Sequence, residues 1–187
     1  MEFISSCEGA PALPPAPGWA QLTGAAEALG RELLRRGWML GCAESCTGGL
    51  ISAAVTALPG SSQWFERSLV TYSNAAKHEL LGVSPQVLQT HGAVSEATAL
   101  AMARGVLEHA PVQAALAVTG IAGPGGGSAD KPVGLVWFAW AWLDAQRTRA
   151  QAEAVCWPGD RHAVRMATAL HALRGMLLRL PPVEAGA

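Results

Sequence analysis

Charge, lysine and tyrosine are all scarce in this sequence. Only 14% of its 187 residues are charged, its formal net charge is −1, and it contains two lysines and one tyrosine. A chain without a basic patch or stripe lacks the electrostatic footprint that duplex nucleic acid requires, so we expect no direct nucleic-acid partner. The longest apolar run, VGLVWFAWAWL, is about half the length of a membrane span, so it predicts a buried strand and no membrane segment.

Motifs for metals and common cofactors are also missing. The cysteines form no CxxC pair and no His/Cys cluster, so we expect no zinc and, in a reducing cytosol, free thiols at Cys7, Cys42, Cys46 and Cys156. His162 and His171 lie nine residues apart, which is not the i, i+4 spacing of a metal-binding pair on a helix. No GxGxxG follows the first predicted strand, and no GK[ST] closes the glycine-rich loop. We therefore expect neither a metal nor a cofactor.

The chain is expected to form one domain between two short terminal segments. Residues 1–17 are rich in proline and alanine and predict a flexible arm, and residues 182–187 predict a loose tail. The first ten residues lack the basic stretch of a secretory signal, so a cytoplasmic protein is expected. Residues 18–181 alternate predicted strands with helices, which is typical of a three-layer α/β/α domain with a mixed, mostly parallel sheet.

The motif AESCTGG, residues 43–49, lies between a predicted strand and a helix predicted to begin near Thr47. A hydroxyl there would lie near the free amides of the helix N-terminus, which stabilise negative charge on a bound oxygen. Ser45 is therefore a candidate nucleophile, although Ser45 or Thr47 could equally serve only as the helix cap. Cys46 competes for the role, but no histidine follows a cysteine-hydrolase pattern, so the hydroxyl is favoured.

The stretch LVTYSNAAK, residues 69–77, contains the only tyrosine, Tyr72, and one of the two lysines, Lys77. The pattern predicts Tyr72 at the carboxyl end of a strand and Lys77 in the first turns of the next helix. A buried lysine can lose its proton and act as the base for a serine, which an arginine cannot do. The alternatives are a lysine that faces solvent and a tyrosine that belongs to the core.

Two further segments could bind a phosphate or a carboxamide. Residues 119–134, TGIAGPGGGSADKPVG, run from a strand into a glycine-rich turn whose amides could approach such a group, with Thr119 adding a hydroxyl. The alternative is a flexible hairpin loop with Lys131 in solvent. Arg161 follows Asp160, the predicted cap of the last helix, where a cation is unfavourable unless it has an anionic partner. Asp160 itself could be that partner.

Five segments, in their order along the chain, resemble the CinA C-terminal domain family: AESCTGGL, GSSQWFERSLVTYSNAAKHELLGV, HGAVSE, TGIAGPGGGSADKPVGLVWFA and PGDRHAVR. The resemblance spans about residues 20–180. It implies an amidohydrolase that converts nicotinamide mononucleotide to nicotinate mononucleotide and ammonia in NAD salvage, the activity of the family's stand-alone amidases. Longer members carry a separate pyrophosphatase domain, whose activity is not expected here.

The resemblance also implies roles for individual residues. Ser45 would be the nucleophile, with Tyr72 and Lys77 as its activating partners. Thr119 and Arg161 would be further active-site residues. We assign substrate binding to these two and to neighbouring residues of the same motifs: Glu44, Cys46, Thr47, Gly48, Gly123, Gly125 and Gly126.

The motifs and the resemblance lead to one mechanistic hypothesis. Neutral Lys77 would accept the proton of Ser45 while Tyr72 relays or orients it, and helix amides near Thr47 would stabilise the oxyanion. The 5′-phosphate would lie near Arg161 and the loop from Gly123 to Gly127.

Two other functions stay open at this point. One is a catalytically silent nucleotide-binding or protein-interaction module of the same family, and the other is an amidase for a different pyridine or pterin-like amide. Seven tryptophans in a small domain favour a homo-oligomer, with a dimer expected, although core packing explains them equally well.

Overall fold

The computed structural model describes residues 16–144 and 147–182, which form six helices and five strands. The helices are α1 (Trp19–Arg36), α2 (Leu50–Thr56), α3 (Asn74–Leu81), α4 (Pro85–His91), α5 (Glu96–His109) and α6 (Arg161–Arg179). The strands are β1 (Leu40–Glu44), β2 (Phe65–Val70), β3 (Ala114–Gly120), β4 (Leu135–Asp144) and β5 (Arg147–Cys156). Most of the predicted arm, residues 1–15, and of the predicted tail, residues 183–187, lie outside the described residues.

The five strands form one sheet in the order β2-β1-β3-β4-β5. Strand β1 pairs in parallel with β2 and β3, whereas β4 pairs antiparallel with β3 and β5. Four strands therefore run in one direction and β4 alone runs against them. Helices α1, α2 and α6 cover one face and α3, α4 and α5 the other. The predicted three-layer α/β/α domain with a mixed, mostly parallel sheet is confirmed.

The apolar run that we predicted to be a buried strand is β4, at the centre of the core. Its side chains alternate between the two faces, as a pleated strand requires. The large rings of Phe138 and Trp140 point to the layer of α1 and α6, and Ala139 and Ala141 point to the layer of α5. Within the described part of the chain, no helix has the length and apolarity to cross a bilayer.

Local capping sets the helix that carries the predicted base. The Ser73 hydroxyl accepts a hydrogen bond from the Ala76 amide at 3.0 Å, and Gly82 ends α3 with a left-handed backbone. Helix α3 then crosses α5 closely, because a Cβ on Gly105 would lie 2.1 Å from the Leu81 carbonyl oxygen. Gly105 therefore allows α3 to pack closely against α5. Glycine is otherwise a poor residue in the interior of a helix.

Two boundaries differ from the prediction. Helix α2 begins at Leu50, and not near Thr47, because residues 46–49 form a turn in which Gly48 and Gly49 have φ of 58° and 92°. Such a left-handed backbone suits glycine and interrupts the helix. Strand β2 ends at Val70, so Tyr72 lies two residues beyond the strand.

Candidate active site

A cleft of about 210 Å³ opens where β1 and β3 end, and the segment after β2 reaches it. The carboxyl ends of neighbouring parallel strands meet at one edge of a sheet, where ligands of open α/β sheets commonly bind. The cleft is lined by Ser45, Cys46, Tyr72, Asn74, Lys77, Ala93, Val94, Thr119, Gly120, Ala122 and Arg161. Six of the predicted site residues are thus brought together: Ser45, Cys46, Tyr72, Lys77, Thr119 and Arg161.

Ser45 and Lys77 are in direct contact in this cleft. Ser45 follows β1 immediately, and its amide donates to the Val118 carbonyl at 3.1 Å, which continues the pairing of β1 with β3. Its hydroxyl oxygen accepts a hydrogen bond from the Lys77 amine at 3.1 Å. The two residues are 32 positions apart in sequence. Their side chains meet because β1 ends, and α3 begins, at the same edge of the sheet.

The amine of Lys77 is buried. Lys77 is 1% exposed, and its Nζ donates a second hydrogen bond to the Thr71 carbonyl at 2.7 Å. Burial lowers the pKa of this amine, and the opposing influence of the Cys46 thiol is smaller. The alternative of a solvent-facing lysine is wrong. A deprotonated Nζ presents a lone pair at the Ser45 hydroxyl, which is the geometry of a general base.

Glu44 lies behind Ser45 and does not line the cleft. The residue is fully buried, and its carboxylate accepts five hydrogen bonds. The donors are the hydroxyls of Thr47 and Ser68 and the amides of Gly49, Ile51 and Ser52, all at 2.8–3.1 Å. A carboxylate with this many donors has no acceptor left for a substrate, so Glu44 positions the turn that carries Ser45.

The same bonds occupy the amides that we expected to stabilise an oxyanion. The amides of Gly49, Ile51 and Ser52, at the start of α2, already donate to Glu44, so they cannot donate to a ligand. In the turn between β1 and α2, the amides of Cys46 and Thr47 donate to no backbone carbonyl among the described residues. They follow Ser45 by one and two residues and are the remaining backbone donors of this turn.

Tyr72 and Arg161 form the outer rim of the cleft. Tyr72 is 61% exposed, and its hydroxyl accepts a hydrogen bond from the Arg161 guanidinium at 2.9 Å. No hydrogen bond joins Tyr72 to Ser45 or Lys77 within the described part of the chain. Arg161 also donates to the Gly123 carbonyl at 3.0 Å. The alternative placement of Tyr72 in the core is wrong.

Asp160 is not the anionic partner of Arg161. Its carboxylate caps α6 by accepting from the Ala163 amide at 2.8 Å. Among residues 16–144 and 147–182, no carboxylate forms an ion pair with Arg161. The guanidinium therefore brings an uncompensated positive charge to the rim of the cleft.

Of the remaining predicted residues, Thr119 lines the cleft and Gly123 lines a space next to it. Thr119 is 1% exposed, and its hydroxyl donates to the Ala93 carbonyl at 2.8 Å, which fixes the turn between α4 and α5. Gly123 lines an adjoining hollow of about 440 Å³ that shares Ala122 and Arg161 with the cleft. Gly48, Gly125 and Gly126 line neither space.

The thiol of Cys46 is a poor competitor of the serine. Burial is the main cause that raises its pKa to about 11, so the nucleophilic thiolate is scarce near neutral pH. Cys42 and Cys46 are free, as predicted, whereas Cys156 is disulfide-bonded, so the expectation of a free thiol is wrong at that position.

Sequence reasoning missed Arg165 and Asn74. Arg165 donates from Nη2 and Nε to the Thr47 carbonyl at 2.7 and 3.3 Å and ties the turn after Ser45 to α6. Its position one helical turn after Arg161 could have revealed it, because residues four apart share a helix face. Lys131 donates to the His91 carbonyl at 2.8 Å instead of facing solvent alone, and Asn74 lines the cleft. No cluster of three metal-binding side chains occurs in the described ranges.

Comparisons with known proteins show the family of this chain. The model of the CinA C-terminal domain matches residues 22–180. The chain is 53% identical to nicotinamide-nucleotide amidohydrolase PncC of Enterobacter agglomerans over 80% of its own length and 89% of that protein. It is 45% identical to the protein of the same name from Escherichia coli K12, over 83% and 92%. The crystal structure of competence/damage inducible protein CihA from Agrobacterium tumefaciens superposes with a TM-score of 0.80 at 42% identity, covering 89% of this chain and 98% of that one. The chain belongs to the CinA C-terminal domain family.

Proposed function

We propose that this chain hydrolyses the carboxamide of nicotinamide mononucleotide to nicotinate mononucleotide and ammonia. The observation that carries the proposal is the buried Lys77 amine, 3.1 Å from the Ser45 hydroxyl oxygen in a cleft. The names of the two amidohydrolase relatives supply the substrate and the reaction. This activity would belong to pyridine-nucleotide salvage.

In the proposed reaction, neutral Lys77 accepts the hydroxyl proton as Ser45 attacks the carboxamide carbon. The Thr71 carbonyl holds the amine in place through its 2.7 Å hydrogen bond. The pyridinium of the substrate withdraws electrons from that carbon, and the amides of Cys46 and Thr47 are the candidate donors to the oxyanion. Protonated Lys77 then gives its proton to the amide nitrogen, the C–N bond breaks and ammonia leaves, and water hydrolyses the acyl-enzyme with Lys77 again as the base.

The phosphate of the substrate would bind at the rim. Arg161 is anchored to Gly123 and Tyr72 by two of its five N–H donors, so the others are available for an anion. The hollow of about 440 Å³ next to the cleft gives room for the ribose and phosphate. In this arrangement Tyr72 orients Arg161, and the proton passes directly between Ser45 and Lys77.

A substrate panel tests the proposal. The purified chain is incubated with nicotinamide mononucleotide, nicotinamide riboside or nicotinamide, and ammonia is measured. We expect release from the mononucleotide alone, because only that compound carries the anion for Arg161. Ser45→Ala is the matched control and should release no ammonia above background.

Other outcomes of the panel would replace the proposal. Silence together with measurable binding of the mononucleotide would identify a catalytically inactive nucleotide-binding module. Equal rates with riboside and mononucleotide would contradict phosphate recognition at Arg161. Silence with all three compounds, together with release from another pyridine or pterin-like amide, would identify a different amidase.

A further inference from the structure

Arg165 is a second arginine of α6, and it faces the turn between β1 and α2. It lies one helical turn after Arg161 and is half-buried. Its Nη2 and Nε donate to the Thr47 carbonyl at 2.7 and 3.3 Å. Arg161 instead donates to Gly123 and Tyr72. The two arginines therefore contact different parts of the site, the turn and the rim.

Thr47 is held from two sides in that turn. Its hydroxyl donates to the buried Glu44 carboxylate at 2.8 Å, and its carbonyl accepts both bonds from Arg165. The peptide unit is planar, so a residue whose side chain and carbonyl are both fixed has little freedom to turn its amide. The amides of Cys46 and Thr47 are the remaining backbone donors of the turn. Glu44 and Arg165 together therefore set the direction of these donors.

The charge of Arg165 has a second effect on the same turn. The buried Glu44 carboxylate disfavours another negative charge nearby, and within residues 16–144 and 147–182 no ion pair joins a partner to Glu44 or to Arg165. In the proposed reaction Lys77 changes its charge, whereas a guanidinium keeps its proton throughout. These charges act on the neighbouring thiol of Cys46: burial is the main cause that raises its pKa, Glu44 raises it further, and Lys77 and Arg165 lower it. An oxyanion formed by the attack of Ser45 would meet the same charges.

We propose that Arg165 is a positioning residue that promotes turnover by orienting the amides of Cys46 and Thr47 and by adding a fixed positive charge behind them. The inference rests on the proposed function, since it needs Ser45 as the nucleophile. Arg165 acts through Thr47, and it stabilises the negatively charged tetrahedral intermediate more than the uncharged carboxamide. An interaction that is stronger in the transition state than in the ground state raises kcat and leaves KM nearly unchanged. Arg161, by contrast, would bind the phosphate in both states.

Steady-state kinetics of ammonia release separates this role from a structural one. Arg165→Met should lower kcat for nicotinamide mononucleotide by about tenfold to a hundredfold, with KM changed less than about twofold. Arg165→Lys keeps a positive charge and a donor, so it should recover part of the lost kcat, and it replaces the methionine variant if that one does not fold. Arg161→Met should raise KM instead.

Arg174→Met is the matched control for these measurements. It removes an exposed arginine of the same helix, so its kcat should equal that of the parent. A kcat for Arg165→Met like that of the control would overturn the proposal. So would a loss that appears only in KM, or a lysine variant no better than the methionine variant.

Labelling of Ser45 tests the same role without the substrate. An aryl sulfonyl fluoride reacts when the serine oxygen bonds to sulfur, the S–F bond breaks, fluoride leaves and the hydroxyl proton passes to Lys77. The mass of the intact protein measures the adduct, and Ser45→Ala shows that it forms at this serine. Because the sulfonyl oxygens gain negative charge in this step, Arg165→Met should be labelled roughly tenfold more slowly than Arg174→Met.

The labelling result distinguishes this inference from the proposed function. Slow labelling of Arg165→Met, together with a parent that is inactive on nicotinamide mononucleotide, would contradict the proposed substrate and support the role of Arg165. Equal labelling of Arg165→Met and Arg174→Met would overturn the inference and leave the proposed function to the substrate panel. A parent that is neither labelled nor active would overturn both.

Discussion

At the scale of single residues, the candidate site depends on the buried amine of Lys77. Eleven of the thirteen basic residues are arginine, yet the position facing Ser45 is lysine. A guanidinium keeps its proton under all ordinary conditions, whereas burial lowers the pKa of the Lys77 amine. Lysine therefore fits the requirement for a base, and arginine would supply only a charge.

The pH dependence of turnover should report this amine. In the proposed mechanism the neutral form of Lys77 is the active one, so the rate at saturating substrate should rise with pH through the lowered pKa of the amine. The midpoint should lie below 10.5, the ordinary value for a lysine, since burial disfavours the charged form. Ammonia release measured across the pH range checks this. A rate that falls as pH rises toward 10 would assign the base elsewhere.

The sequence predicts that Ser45, Tyr72 and Lys77 act together, and the structure brings only Ser45 and Lys77 into hydrogen-bond contact. The hydroxyl of Tyr72, for which we predict a part in the proton transfer, bonds to Arg161. The reason is local geometry: β2 stops at Val70, and the two residues that follow carry the ring out to the rim. A residue pattern gives the end of a strand only approximately, and a shift of one residue reverses the direction of a side chain.

At the scale of elements, the turn between β1 and α2 is built around a buried carboxylate. Glu44 accepts five hydrogen bonds, so Glu44→Gln loses an acceptor oxygen and turns an N–H₂ group toward amide donors. We expect the free energy of unfolding to fall by roughly 3 kcal/mol, measured by urea denaturation. Ser68→Ala removes one of the five donors and should cost about 1 kcal/mol. Equal stability of Glu44→Gln and the parent would contradict this role.

Two helical glycines make a matched pair. In α5, a Cβ on Gly105 would lie 2.1 Å from the Leu81 carbonyl oxygen, whereas in α1 a Cβ on Gly24 would meet nothing within 4 Å. Gly105→Ala should therefore lower the free energy of unfolding by about 1–3 kcal/mol because α3 and α5 must separate. Gly24→Ala should raise it by about 0.5–1 kcal/mol through helix propensity. Urea denaturation measures both, and a stabilising Gly105→Ala would contradict the close crossing.

Helix starts could be predicted where the capping group is adjacent in sequence. Ser73 and Asp160 cap α3 and α6 through amides three residues ahead, so the sequence alone reveals them. The start of α2 could not be predicted in this way. Its amides are capped by Glu44, which lies at the end of the preceding strand and becomes a cap only when the strand is buried.

At the scale of the whole molecule, the layer architecture was predictable and the strand order was not. Alternating strand and helix patterns lead to three layers whatever the order of the strands. The order β2-β1-β3-β4-β5 depends on which edges pair, and that depends on contacts far apart in sequence. The cleft likewise joins residues from the turn after β1 and from β3, α3 and α6, and 89 residues separate Tyr72 from Arg161.

The tryptophans belong to this scale too. In the sequence, seven tryptophans favour an apolar surface shared between subunits, with core packing as the alternative. Trp140 and Trp64 lie in the core, which fits the alternative for these two rings.

The most direct test of the account is the rate of ammonia release from nicotinamide mononucleotide by Lys77→Arg at saturating substrate. The variant keeps the hydrogen-bond donors but is permanently protonated and cannot accept a proton, so the rate should fall by roughly three orders of magnitude or more. An unfolding transition like that of the parent would show that the domain is intact. Near-normal turnover in such a folded variant would contradict the assignment of Lys77 as the base for Ser45.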